Sequence, residues 1–129
     1  MQHTHARRHR GFTLIELIVV MTIISLLLTL AAPRYSHSID LSKEKVLKAN
    51  LSATRDALDK FHADTGKYPE QLADLVAKRY LRTLPWDPIT ERADSWLLVA
   101  PSNGQEGAVY NLNSGAEGMG LDSTPYATW

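Results

Sequence analysis

The chain has 129 residues, 44% of them hydrophobic, with 14 Lys and Arg balanced by 14 Asp and Glu and no cysteine. That leaves room for one domain of modest size and excludes disulfides, thiolate metal sites and cysteine nucleophiles. Residues 1–11 hold Arg7, Arg8 and Arg10 and no acid, so taking these three from the 14 basic groups leaves 11 against 14 acidic ones, a net of about −3. A body of that sign has no electrostatic reason to seek nucleic acid.

The first element is an apolar run. Between Phe12 and Ala32 the only formal charge is Glu16, and the only other polar members are Thr13, Thr22, Ser25 and Thr29. As a helix the run covers ~31 Å at ~1.5 Å per residue, the thickness of a bilayer's hydrocarbon core. Its hydroxyls can bond back to the helix backbone. The arginines before it keep the N-terminus cytoplasmic and put the body across the membrane. His3, His5 and His9 read as part of a solvated basic tail, while His37 and His62 lie too far apart for one local metal motif.

Glu16 decides among three readings of this run. A cleaved secretory signal wants small residues at the end of a shorter apolar core, but "LTLAA" places Leu30 there and Pro33 follows. A plain anchor leaves the cost of a carboxylate in hydrocarbon unexplained. The reading that explains it is a helix stored in the membrane and then used in an assembly, where Glu16 finds a partner.

Pro33 predicts a kink or local melt where the apolar run ends. Helical periodicity then resumes: Leu47, Leu51, Thr54, Leu58 and Phe61 share one face, widened by Val46, Ala49, Ala53 and Ala57. Lys43, Lys45, Lys48, Arg55, Asp59 and Lys60 fall mostly on the solvated side, and Gly66 is placed to end the helix. The stripe reads as the surface on which a small domain packs. Pro69 suits the first position of a second helix bearing Leu72, Leu75 and Val76 and running towards Tyr80. "LPWDPITERADS" reads as a structured loop whose Asp87, Glu91 and Asp94 are solvated carboxylates. "WLLVAP" and "AVYNLN" predict an antiparallel hairpin laid against the long helix. The Gly- and Ser-rich tail "SGAEGMGLDSTPYATW" is too long to leave loose unless something pins it, and Tyr126 and Trp129 can do so by burial and hydrogen bonding.

An enzyme is disfavoured: there is no Gly-rich phosphate loop, His pair for a metal or nucleophile elbow. The glycines of "SNGQEGAVYNLNSG" lack the strand–turn–helix context of a phosphate site.

"RGFTLIELIVV" resembles the processing site of the type IV pilin and pseudopilin superfamily. The resemblance implies that a prepilin peptidase cuts after Gly11 and methylates Phe12, and that Glu16, ionised, pairs with the α-amino group of Phe12 in a neighbouring subunit. "TGKYP", the "DLV" helix, the Asp-Pro loop at Trp86–Pro88 and a Gly-rich tail ending in Trp129 follow the order of the type II secretion pseudopilins, the major (G-type) branch above all. The fold so implied is α+β, a long N-terminal helix packed against a small C-terminal region with a short helix and an antiparallel hairpin. The expected division is a leader at 1–11, a transmembrane and assembly helix at 12–33, its amphipathic continuation at 34–66 and a periplasmic globular region at 67–129.

The function this implies is a single-span inner-membrane subunit drawn into a short periplasmic filament that drives protein export. Its partners would be the peptidase, other pseudopilin copies, minor pseudopilins, and an inner-membrane assembly platform with its ATPase, with no nucleic acid. The alternative is a minor type IV pilin of adhesion, motility or DNA uptake, many of which close the C-terminal region with a cysteine pair that this chain lacks. In the major pseudopilins the tail wraps a calcium ion with aspartates and backbone carbonyls. Here the candidate carboxylates are Glu117, where the family has Asp, and Asp122, with oxygens from Asn111 and Asn113.

Overall fold

The computed structural model describes residues 10–129. The order of elements is a long helix α1 (Leu14–Thr65), a short helix α2 (Leu72–Ala77), strands β1 (Leu97–Val99) and β2 (Asn111–Asn113), and a closing 3-10 turn at Tyr126–Thr128. The architecture is α+β, as expected. The described residues separate into two compact units, divided between His37 and Ser38.

Helix α1 is assigned without a break through Pro33, so the expected local melt is absent. A proline inside a helix forfeits one backbone hydrogen bond and costs ~3 kcal/mol. Long helical stretches on either side absorb that cost here. Along the first unit the hydroxyls of Thr22, Ser25 and Thr29 donate to the carbonyls of Ile18, Met21 and Ser25, each at 2.8 Å. These three hydroxyls are thereby satisfied on an apolar surface, which suits it to hydrocarbon.

In the second unit the stripe Leu47, Leu51, Thr54, Leu58 and Phe61 is buried, as the 4-3-4-3 spacing predicts. Its expected widening is only partly right. Ala57 is buried, but Val46, Ala49 and Ala53 are exposed, and the other flank carries Glu44, which is buried instead. Thr54 tolerates its burial because its hydroxyl donates to Asn50 O at 2.7 Å. The helix ends where Gly66, at φ 75°, turns the chain left-handed and donates to His62 O at 2.8 Å.

Helix α2 starts later than Pro69 predicts. Gln71 is its N-cap, and Asp74 Oδ2 accepts from the amides of Glu70 and Gln71, both at 3.1 Å. Pro69 is buried outside the helix, and its carbonyl takes the amides of Ala108 and Val109. Helix α2 stops at Ala77 rather than near Tyr80, because Arg79 adopts φ 66° and the amides of Tyr80 and Leu81 both turn back to Leu75 O. Leu72 and Leu75 join the core, while Val76 is half-buried.

Strands β1 and β2 pair antiparallel with Leu97 opposite Asn113, Leu98 opposite Leu112 and Val99 opposite Asn111. Leu112 enters the core with Leu47, Leu51, Leu58, Trp96 and Val109. Just past β2, Gly115 passes so close to Ser95 O that any Cβ there would collide with it. The loop before β1 corrects one expectation: Asp87 is fully buried rather than solvated. Its Oδ1 accepts from the amides of Ile89 (2.8 Å) and Thr90 (3.2 Å), and its Oδ2 from the Ser114 hydroxyl at 2.6 Å. A carboxylate can be buried when its lone pairs are met in this way. It ties the loop to the end of the hairpin.

Asp87→Ala strands those donors inside the core, and the expected loss is roughly 2–4 kcal/mol of unfolding free energy. The exposed Asp94, paired among the described residues with Arg92 alone, is the control: Asp94→Ala is expected to leave the unfolding transition nearly unchanged. Denaturant titration of the full chain in detergent measures both.

Candidate processing and assembly site

The leader expected at 1–11 falls almost wholly on residues 1–9, outside the described residues, as do Arg7 and Arg8. Gly11 lies in irregular chain ahead of α1, and a Cβ added there would meet nothing within 4 Å. Phe12 is 86% exposed. The Gly11–Phe12 peptide is therefore accessible backbone outside the helix, open to a peptidase.

The helix starts at Leu14, two residues past the expected Phe12. Thr13 precedes it and accepts the Glu16 amide on its hydroxyl at 3.1 Å. Thr13 is thus the N-cap and Glu16 the third helical residue, the spacing of a T-x-x-E cap. The sequence carries this signal, masked by the longer apolar pattern. The cap fixes the first turn of α1, and hence the direction in which Glu16 leaves the helix. Glu16 is exposed among Leu14, Ile15, Leu17 and Ile18, which are themselves at least half exposed. Phe12, Leu14, Leu17 and Val20 line an open apolar concavity beside it. A carboxylate so placed meets no cation of its own chain among the described residues and presents its charge outward on an apolar helix.

The tail is held without a core of its own. Glu44 of α1, 5% exposed, accepts the Leu121 amide at 2.7 Å and the Tyr126 hydroxyl at 2.9 Å on the same Oε1. Burial, followed by this hydrogen bond, pushes the Tyr126 phenol up to about 12. Lys48, one turn on, lies 3.5 Å from Asp122 Oδ2 and 4.1 Å above the Trp129 ring. Tyr126 and Trp129 pack edge to face at 5.0 Å. The sequence pattern puts Lys48 on the solvated side and gives Glu44 no role, because an acid flanked by lysines looks like surface.

The four residues named for calcium are not brought together as a ligand set. Glu117 is exposed. Asp122 Oδ1 accepts the Thr124 hydroxyl (2.6 Å) and amide (3.0 Å), which hold its carboxyl below the usual range with help from Lys48. Asn111 Oδ1 takes Arg55 Nε and the Leu112 amide, both at 2.8 Å. Asn113 gives its amide to Ala127 O at 2.9 Å. Among the described residues no group of three or more His, Asp or Glu side chains converges as a metal site. Calcium wants six to eight oxygens, and these residues do not fit it.

Comparison with known proteins places both halves. Residues 6–32 match the prokaryotic N-terminal methylation motif. Type II secretion system core protein G of Pseudomonas aeruginosa is 30% identical over 95% of this chain and 96% of its own. The core protein G of Escherichia coli is 30% identical, covering 89% and 88%, and that of Klebsiella michiganensis 29%, covering 93% and 92%. No solved structure matches significantly.

The raised phenol gives the tail a definite response to alkali. A folded pKa above the unfolded value stabilises fully below the unfolded one, ~10 for tyrosine. Tyr126 therefore contributes fully up to pH ~10, and its contribution is lost as pH rises from there through about 12. Burial also raises Tyr68, and a hydrogen bond to Asp64 raises Tyr80, so phenolate absorbance should show one fewer late-titrating tyrosine in Tyr126→Phe than in the native chain, with cleavage of the tail by an added protease rising over the same interval.

Proposed function

The chain belongs to the type II secretion system core protein G family, the major pseudopilins, and from that premise we propose that it is cut after Gly11 by a prepilin peptidase, methylated on Phe12 and polymerised into a periplasmic pseudopilus. The observation that carries the reading is Glu16: an outward-facing carboxylate just past a capped, accessible Gly11–Phe12 junction, on a helix otherwise apolar enough to cross a membrane. Cleavage creates an α-amino group at Phe12, the ammonium that an adjacent subunit's Glu16 lacks. In hydrocarbon an unpaired charge is costly and a paired one much less so. Subunits shifted along the filament so that the two groups meet are therefore favoured over all other registers.

Before assembly the helix spans the inner membrane once, with the basic leader in the cytoplasm and residues from Ser38 onward in the periplasm. The chain's part in export is structural. Adding subunits at the membrane lengthens the filament and moves cargo, the energy coming from an ATPase on the inner-membrane platform. Its partners are the peptidase, its own copies, minor pseudopilins and that platform. The same likeness running through the C-terminal body favours the secretion branch over a minor type IV pilin.

Mass spectrometry of membrane-extracted protein from cells with the peptidase should find a chain beginning at Phe12 with one added methyl group; an intact Met1 end or a start at Pro33 would overturn the assignment. Glu16→Ala should be processed normally yet enter filaments at least tenfold less, measured by shearing and immunoblot, as expected for losing roughly 1.4 kcal/mol or more of pairing energy. Incorporation at the native level would remove the pairing argument.

A further inference from the structure

The tail poses a question that the family likeness leaves open. A segment rich in glycine, with no core of its own, needs an anchor, and the resemblance supplies one in the form of a calcium ion. The residues here do not fit that ion, yet the tail is ordered against α1 by the chain's own groups.

The anchoring has three parts. The first is the loop's internal closure: Gly120 N donates to Thr124 O at 2.8 Å, Ser123 N to Gly120 O at 2.9 Å and Tyr126 N to Gly118 O at 3.2 Å. The carbonyls of Thr124, Gly120 and Gly118 are thereby each met by an amide of the tail itself. The second is Glu44. It lies beside the α1 stripe and takes one backbone amide and one phenol from the tail on a single buried oxygen. The third is Lys48, whose ammonium lies between the Asp122 carboxylate and the face of Trp129. Thr124 completes the arrangement, for its amide and hydroxyl both satisfy Asp122 Oδ1, and the same hydroxyl accepts from Trp129 Nε1 at 2.6 Å. Of the tail's two carboxylates, Asp122 is thus met by donors from the chain itself, and Glu117 faces solvent.

We propose that Glu44 and Lys48 of α1 replace a divalent cation as the clamp of the C-terminal tail, so that this chain folds and holds its tail independently of calcium. Lys48 supplies the positive charge that Asp122 needs, and Glu44 supplies the anchor oxygen. A fixed ammonium four residues from the anchoring carboxylate keeps both on one helix face, one turn apart. A tail clamped in this way stays closed in surroundings poor in calcium, where a metal-held tail would open.

The test is amide hydrogen exchange, read by mass spectrometry on the full chain in detergent. The segment 117–129 should exchange at the same rate in chelator and in millimolar calcium. Slowing by about tenfold or more on adding calcium would overturn the proposal. Glu44→Ala should speed exchange of that segment about tenfold, whereas Glu44→Gln, which keeps an acceptor oxygen, should recover most of the protection. Lys48→Met, which keeps the aliphatic stem over Trp129, should speed it about two- to fivefold, as expected for a half-exposed pair, with no recovery on adding calcium. Native exchange in both Glu44→Ala and Lys48→Met would equally refute the clamp. Should a variant fail to fold, the comparison of the native chain with and without calcium still decides. Processing at Gly11 is measured separately, so failure here is distinct from failure of the pseudopilin reading.

Discussion

Leu47, Leu51, Leu58 and Phe61 leave α1 on one side, and no other element of the second unit is large enough to form a core without them. Helix α2 has a single buried pair, Leu72 and Leu75, and the two-stranded sheet sends only Leu112 fully inward. A two-stranded ribbon and a helix of this length are unstable alone in water. Both exist because the stripe gives them an apolar surface to cover. A body of this size buries a smaller share of its chain than a large domain does, so polar ties carry more of the work. Asp87 fastens the loop before β1 to Ser114, Arg55 bridges from α1 to Asn111 and Leu112, and Glu44 holds the tail.

These ties explain which features are legible in the sequence and which are hidden. Periodicity finds the stripe residue by residue, because the 3.6-residue turn leaves little freedom in which side chains share a face. The hairpin is equally readable from its branched and aromatic runs and the turn between them. The flank of the stripe misleads. Alanine and valine at Ala49, Ala53 and Val46 look like core, but whether they are covered depends on where the rest of the chain lies, and it lies on the side of Glu44. Pro69 misleads because a proline that suits a helix start equally suits a buried turn whose carbonyl is free to accept. Asp87 and Glu44 are hidden for the same physical reason: the partners that make a buried carboxylate tolerable come from distant parts of the chain.

At the N-terminal site the opposite holds. Gly11, Phe12, Thr13 and Glu16 are near neighbours in sequence, and their meaning depends on local geometry and on a membrane rather than on the fold. A charge and an apolar run can be read from a string of letters, which is why this half is legible from its residues alone. What the pattern leaves unseen there is the role of Thr13, a matter of one hydroxyl reaching one amide three residues on.

Glu16 and Glu44 present one problem with two solutions. Each is a carboxylate on the same helix, and each must find donors. Glu44 meets its own chain's tail, so its donors arrive with folding and the result is a closed body. Glu16 lies where the helix is bare, with its neighbours at least half exposed, and among the described residues no side chain of its own chain relieves its charge. The cost of that charge in hydrocarbon can then be met by another molecule. One helix thus carries, in its two halves, a satisfied acid that finishes a fold and an unsatisfied one that, in the proposed function, makes the finished fold join others. In the pseudopilin reading, that is why monomer stability and filament assembly can be altered by separate substitutions.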